Sequence, residues 1–413
     1  MATQAIFDAR VESSPSFRPR ASAVHAIGSA AQIQLSVHED LAAVEQDWRA
    51  FEQHADCTVF QTFDWLTTWH RHIGTRNGVT PAIVVGRHNG DILFILPLAM
   101  EAGGVVRRVT WLGSYLCNYN GPLLAWDFTQ RVSPKRFALL WHEIQKLLRS
   151  RLRHDLIDLE KMPEMVGNQV NPLLRLRVTT PHVNEAYLTH LTDTWVTFYN
   201  AKRSAATRKT DRKKRKRLEE HGEVRFVTAG HREEVVRSLD ALIEHKGKAY
   251  RNLGVANMFD WPGYRGFFLD MATNIQSRHL THVSRLDVGA VTAAANFGLV
   301  FRDRYYYLLA GYNDDVEFAR FGPGSAQLHE LLRYSIGLGL KQFDFTIGDE
   351  PYKRDWCDTE TKLFDQVSPA SFRGWLVAMP MVALRFIKRS VKRSPTLWSA
   401  VRRVRALLGS LRR

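Results

Sequence analysis

Residues 321–356, FGPGSAQLHELLRYSIGLGLKQFDFTIGDEPYKRDW, decide the reading of this 413-residue chain. A glycine turn (Gly322, Pro323, Gly324, Ser325) opens a helix over 326–338, and a strand follows over 342–346. Glycines let a backbone turn tightly, and unpaired N–H groups at a helix start can hold phosphate oxygens. In the strand, Asp344 alternates with Phe343 and Phe345, so it either faces a cleft or is a paired core carboxylate. Gly348 allows a sharp exit. Tyr352 and Lys353 follow on a loop at the strand's end, a common place for functional residues. The expectation is that Asp344 and the Pro323 turn open on one cleft.

Working outward, the second half reads as helices over 233–250 and 264–275, then strands over 282–288, 291–301 and 305–310. The first half reads as a strand over 33–37, helices over 39–54 and 60–73, and a hairpin turning at Asn89-Gly90. A strand over 105–112, a helix over 137–152 and a strand over 156–159 complete it. Both halves end in helix, short linker and strand, which points to an internal duplication. The fold class is α+β (mixed α/β): two tandem domains, each a mixed, mostly antiparallel sheet flanked by helices. Residues 1–32 are expected to be a flexible leader, 33–190 and 191–370 the two domains, and 371–413 a basic amphipathic tail.

The formal charge of +15 is uneven. Residues 371–413 hold 11 Lys or Arg and no acid, residues 202–217 hold 10 against Asp211 alone, and the remainder carries −5. Two basic attachments on a mildly acidic body favour local contact with an anionic partner. The run over 202–217 lacks stacking aromatics, which argues against a general nucleic-acid surface. The tail interleaves Arg with Trp375, Leu376, Phe386 and Ile387, a composition suited to the interface of an anionic membrane. Its longest apolar stretch is too short to span a bilayer. Cys57, Cys117 and Cys357 are odd in number and far apart, which excludes a disulfide scaffold and zinc spacing. No paired His supplies a metalloprotease site, and no metal is expected.

With these motifs in place, the chain resembles the CelD/BcsL-like branch of the GNAT superfamily, acetyltransferases linked to cellulose and other exopolysaccharide synthesis. The carrying segments are RKTDRKKRKRLEEHGEV, YYYLLAGYNDD, FGPGSAQLHELL and FDFTIGDEPYKRDW, with FQTFDWLTTWHRHIG and WLGSYLCNYNGPLL in the first half. The doubled plan is also similar to Fem-type peptidyltransferases, which use aminoacyl-tRNA. One departure stands out: the Gln or Arg that usually leads the phosphate loop falls on Ala319, with Arg320 one place on.

The resemblance implies an acyl-CoA (acetyl-CoA) donor whose phosphates contact Gly322, Pro323, Gly324 and Ser325 and whose pantetheine lies near Tyr307. A strand N–H would hold the developing oxyanion. Asp344 or His245 would be the base and Tyr352 the acid. Lys353, Tyr307 and Tyr312 would bind substrate. The acceptor is a small molecule or saccharide bearing an amine or hydroxyl. The first domain would be structural or acceptor-binding, and the protein cytoplasmic, at the inner face of the membrane. An aminoacyl-tRNA donor, the one nucleic-acid partner considered, and an inactive scaffold for a polysaccharide machine are the alternatives.

Overall fold

The computed structural model describes residues 33–102, 104–176 and 179–394; the expected leader (1–32) and the end of the tail (395–413) lie outside them. The first half supplies β1 (Ile33–His38), α1 (Glu45–Glu52), α2 (Phe63–Trp69), β2 (Val79–His88), β3 (Asp91–Glu101), β4 (Arg108–Trp111), α3 (Pro134–Arg151) and β5 (Leu156–Pro163). Two short strands follow, β6 (Thr179–Pro181) and β7 (Ala186–His190). Next come α4 (Trp195–Lys202), α5 (Ala205–Glu219), β8 (Val224–Thr228), α6 (Arg232–Leu253), α7 (Tyr264–Thr273) and β9 (Thr281–Val288). The chain continues through β10 (Val291–Phe301), β11 (Arg304–Tyr312), α8 (Pro323–Gly337), β12 (Gln342–Ile347) and α9 (Pro351–Arg354). It closes with β13 (Thr359–Thr361), β14 (Leu363–Pro369) and α10 (Phe372–Arg393).

These strands form two sheets with one plan. The first runs β1-β2-β3-β4-β5-β14-β6, the second β8-β9-β10-β11-β12-β7-β13. In each, four antiparallel strands are followed by a parallel fifth and an antiparallel sixth. The duplication read from the sequence is therefore visible as matching topology. Asn89 and Gly90, at φ of 53° and 92°, make the expected tight turn between β2 and β3.

The sheets do not divide at the expected 190/191 boundary. β7 lies in the second sheet, paired from Ala186↔Ile347 to His190↔Gln342, and β14 lies in the first, paired from Leu363↔Pro163 to Pro369↔Leu156. The reason is edge satisfaction. Once β5 and β12 have their parallel neighbours, each presents a row of unpaired N–H and C=O groups on its other side. Each row is covered by a strand from the opposite half.

A single apolar cluster runs through both halves. Phe60 meets Tyr306 edge-on at 5.7 Å, and Trp65 meets Phe267 at 4.9 Å. A second cluster under α8 gathers Leu328, Leu332, Tyr305, Tyr307, Phe343 and Phe345. The helix expected over 60–73 is α2 followed by a π-turn, His70–Gly74, and the expected loop at Tyr352 and Lys353 is the short helix α9. Among the described residues no helix is long and apolar enough to cross a membrane.

Candidate active site

β11 and β12 pair at only three positions, Arg304↔Gln342, Tyr305↔Phe343 and Tyr306↔Asp344, and then part. At the same level β11 carries an extra residue. Phe297 faces Leu309 and Leu299 faces Tyr306, so two residues, Tyr307 and Leu308, stand opposite Gly298. Such a bulge leaves a residue out of the ladder and bends the strand away. The result is a splay at the carboxyl ends of two parallel strands, a position where open α/β sheets bind ligands.

The β12 wall of this splay is strained. Thr346 has φ 60°, a left-handed conformation that a β-branched residue adopts only when its surroundings impose it. Three contacts impose it here. The Thr346 N–H donates to Asp344 Oδ1 at 2.8 Å, its hydroxyl donates to the Tyr307 carbonyl at 3.3 Å, and its own carbonyl accepts from Lys353 Nζ at 3.3 Å.

Those contacts correct two sequence expectations. The Asp344 side chain points away from α8, because neighbouring strand residues alternate in face and Phe343 and Phe345 take the α8 side. It is buried between the sheets, accepting from the Tyr119 hydroxyl at 2.7 Å, with Arg304 at 3.4 Å. Burial raises its pKa, and Arg304 and the hydrogen bonds offset only part of that rise. Asp344 and the Pro323 turn therefore do not share a cleft. Lys353 is not free to bind an acceptor either: its buried ammonium donates to the carbonyls of Thr346 and Ile347 and pairs with Glu350 at 2.9 Å.

Tyr307 and Tyr352 are brought together. Their rings flank Phe345, with centroids 6.0 and 6.2 Å from it. Burial raises both phenols above their ordinary range, so both keep their protons at neutral pH. The Glu350 carboxylate, half-exposed, interacts with both and with Lys246 on α6. Burial works to raise Glu350, yet Lys353 and Lys246 outweigh it and hold the carboxylate below its usual range. Lys246 is lowered by its own burial, against the attraction of Glu350. Sequence reasoning missed both residues, although Glu350 lay inside the quoted GDEPYK segment.

His245 stands elsewhere. It sits on α6 against Gly311, four residues and about 13 Å along the strand from Tyr307. Its Nε2 bonds the Thr292 carbonyl at 3.1 Å, its Nδ1 is buried without a partner, and burial lowers its pKa. It is a neutral imidazole packed under β11.

At the far end of β11 the glycine turn forms as expected. Gly322 is left-handed at φ 64°, and Pro323 is the first helical residue. Pro323 has no N–H, and Ala326 N already bonds Gly322 O at 3.0 Å, so the donors available to a ligand are Gly324 and Ser325. Gly324 lets the helix start close on Tyr312, whose ring lies 3.1 Å from where a Cβ would be. Lys214 Nζ, from α5, comes within 3.8 Å of the Cβ position of Gly322.

The turn borders a cavity of about 320 Å³ between α4, α5 and α8. Arg212, Lys214, Arg215 and Arg333 outnumber Asp211 and Glu330 on its lining, with Arg215 and Arg333 both paired to Glu330, and Trp195 stacks on Tyr199 with centroids 4.8 Å apart. His329 also lines it; burial pushes its pKa down to about 4, and its Nε2 is buried without a hydrogen-bond partner. Anions, phosphates above all, suit this lining. Among the described residues no cluster of His, Cys, Asp and Glu could hold a metal ion.

Residues 205–354 match the family model of the acetyltransferase (GNAT) domain. They span α5 to α9 and contain both the splay and the turn. Among solved structures the chain is similar to FemX, with TM-score 0.53 and 10% identity over 77% of this chain and 95% of that one. It is also similar to a conserved protein of unknown function from Bacteroides thetaiotaomicron, with TM-score 0.51 and 11% identity over 80% and 99% of the two chains. A third is the C-terminal domain assigned to a lysylphosphatidylglycerol synthetase from Agrobacterium fabrum, with TM-score 0.50 and 9% identity over 83% and 98%. No curated protein matches the sequence.

Proposed function

We propose that this protein transfers an acyl group from acyl-CoA to an amine or hydroxyl of a saccharide or other cell-envelope precursor, on the cytoplasmic side where acyl-CoA is made. The observation that carries this reading is the coincidence of the β11 bulge, the β11–β12 splay and the left-handed glycine before α8. A family model for GNAT acetyltransferases matching that same stretch supports the class of reaction.

Acyl-CoA would supply an activated carbonyl, and the chain's own groups suggest how it is used. The N–H groups of Gly324 and Ser325, with Lys214, would hold phosphate at the helix start. A backbone N–H freed by the bulge at Tyr307 and Leu308 would face negative charge growing on the acyl oxygen. Glu350, ionised and half-exposed at the mouth, would take the acceptor's proton directly or through water. Tyr352 would donate a hydrogen bond to the departing sulfur.

One observation favours a second donor. Lys209, Lys213, Lys214 and Lys216 on α5 make no ion pair among the described residues, and such a stripe suits an RNA backbone. Isothermal titration separates the readings. Acetyl-CoA is expected to bind at micromolar strength and to be displaced by free CoA. If no acyl-CoA binds while an aminoacyl-tRNA does, with affinity falling steeply in salt, the donor is RNA. Binding of neither overturns the acyltransferase reading.

A further inference from the structure

Helix α10 has two unlike faces. Val377, Ala378, Met381 and Val382 pack on Leu156 and Val367 of the first sheet. On the same side Arg385 is clamped by Asp158 at 2.9 Å and by Glu160, and Lys392 reaches Asn184 and Asp349. The outer face is apolar and bare. Phe372 is 74% exposed and Phe386 68%, with Trp375, Leu376, Met379 and Ile387 each about half exposed between and beside them. At 100° per residue all six fall on one side of the helix.

Apolar patches of this extent on a folded surface mark an interaction site. Charge selects the occupant. Arg373 borders the bare face, and both it and Lys388, further round the helix, are exposed and make no ion pair among the described residues. Residues 371–413 contain 11 basic residues and no acidic one. A second copy of the chain would set those cations against themselves, whereas acidic headgroups over an acyl layer complement both features. The helix would lie flat, since its other face is fixed to the sheet by apolar packing and by the Arg385 clamp. Trp375, stacked on Phe372 with centroids 6.3 Å apart, is the kind of side chain that settles at headgroup depth.

We propose that the outer face of α10 seats this protein on a membrane surface rich in acidic phospholipid. The test is co-sedimentation of the full chain with vesicles of phosphatidylcholine alone or mixed equally with phosphatidylglycerol. The wild type should pellet with the mixed vesicles and stay in solution with phosphatidylcholine. The triple variant Phe372→Ser, Leu376→Ser, Met379→Ser should lose about tenfold in partitioning. Its melting temperature should be unchanged, because the altered side chains face solvent. The pair Arg373→Glu, Lys388→Glu should weaken binding to acidic vesicles without touching the apolar face. Absence of pelleting overturns the proposal, as does a triple variant that binds like the wild type. A wild-type dimer that the triple variant converts to monomer, with vesicle binding unaltered, also overturns it and identifies a self-association face instead.

Discussion

Tyr119 and Asp344, 225 residues apart, share a 2.7 Å hydrogen bond in which the phenol donates to the carboxylate. The pair joins the first half of the chain to the strand that walls the splay. The same carboxylate accepts from Thr346 N–H, so the first half helps to fix the backbone of the site in the second. Asp344 is thus a positioning residue. Asp344→Ala should cost about 3–5 kcal/mol, because Tyr119, Thr346 and Arg304 lose a buried acceptor. Tyr119→Phe should cost only about 1–2 kcal/mol. Both are read from urea denaturation. In neither variant should the pH dependence of acyl transfer move, since neither group reaches the cleft.

Thr346 offers a test of strain. Thr346→Ala loses the hydroxyl bond to Tyr307 and keeps the left-handed backbone, whereas Thr346→Gly loses the same bond and relieves the conformation. The glycine variant should therefore be more stable than the alanine variant by about 1 kcal/mol, the reverse of the usual order in a strand. Thermal melts of the two proteins decide it.

Donor contacts should separate from chemistry. Lys214→Ala should raise KM for acyl-CoA about three- to tenfold with little change in kcat, as one charge-assisted phosphate contact is lost. Gly324→Val should do more, because its side chain would run into the Tyr312 ring. Steady-state kinetics with acetyl-CoA provide the measurement.

Glu350→Gln should lower kcat about 10²-fold if it is the proton acceptor. Loss of the acid limb of the kcat profile would be the signature of that role. Its pairing with Lys353 also matters for the fold, so the melting temperature of the variant is measured alongside.

Glu52 supplies a pH dependence of stability. It is buried, its Oε2 accepts from Phe63 N at 2.8 Å, and burial pushes its pKa up from 4.5 to about 7. The folded state therefore holds a proton that the unfolded chain releases. The stabilisation is complete below about pH 4.5 and is lost as pH rises through about 7. Glu52→Gln keeps the acceptor and never ionises. Its stability relative to wild type should grow by about 1–3 kcal/mol between pH 5 and 8, read from urea midpoints.

Much of this fold was legible in the sequence. The hairpin at Asn89-Gly90, the glycine turn before α8 and the strand carrying Asp344 rest on local patterns, and they stand where expected. What was hidden depended on distant or unusual geometry. β7 and β14 have no local sign of crossing into the opposite sheet, since an edge is chosen by whichever strand lies nearest in space. Both faces of β12 are buried, so alternation could not say that Asp344 turns toward Tyr119 and away from the cleft. Threonine is a poor left-handed residue, which concealed Thr346 altogether. Lys353 was expected to bind substrate because nothing in PYKR foretells that two carbonyls and Glu350 take its ammonium.

The reciprocal loan of β7 and β14 has a practical corollary for anyone who would cut this gene in two. A fragment bounded by the recognised acetyltransferase segment leaves β12 without its neighbour on one side, and a fragment of the first 200 residues strips β5 likewise. Each would display a sticky margin ready to recruit foreign strands. The lobes are interlocked like clasped hands, and neither should be obtained in soluble, monomeric form without the other.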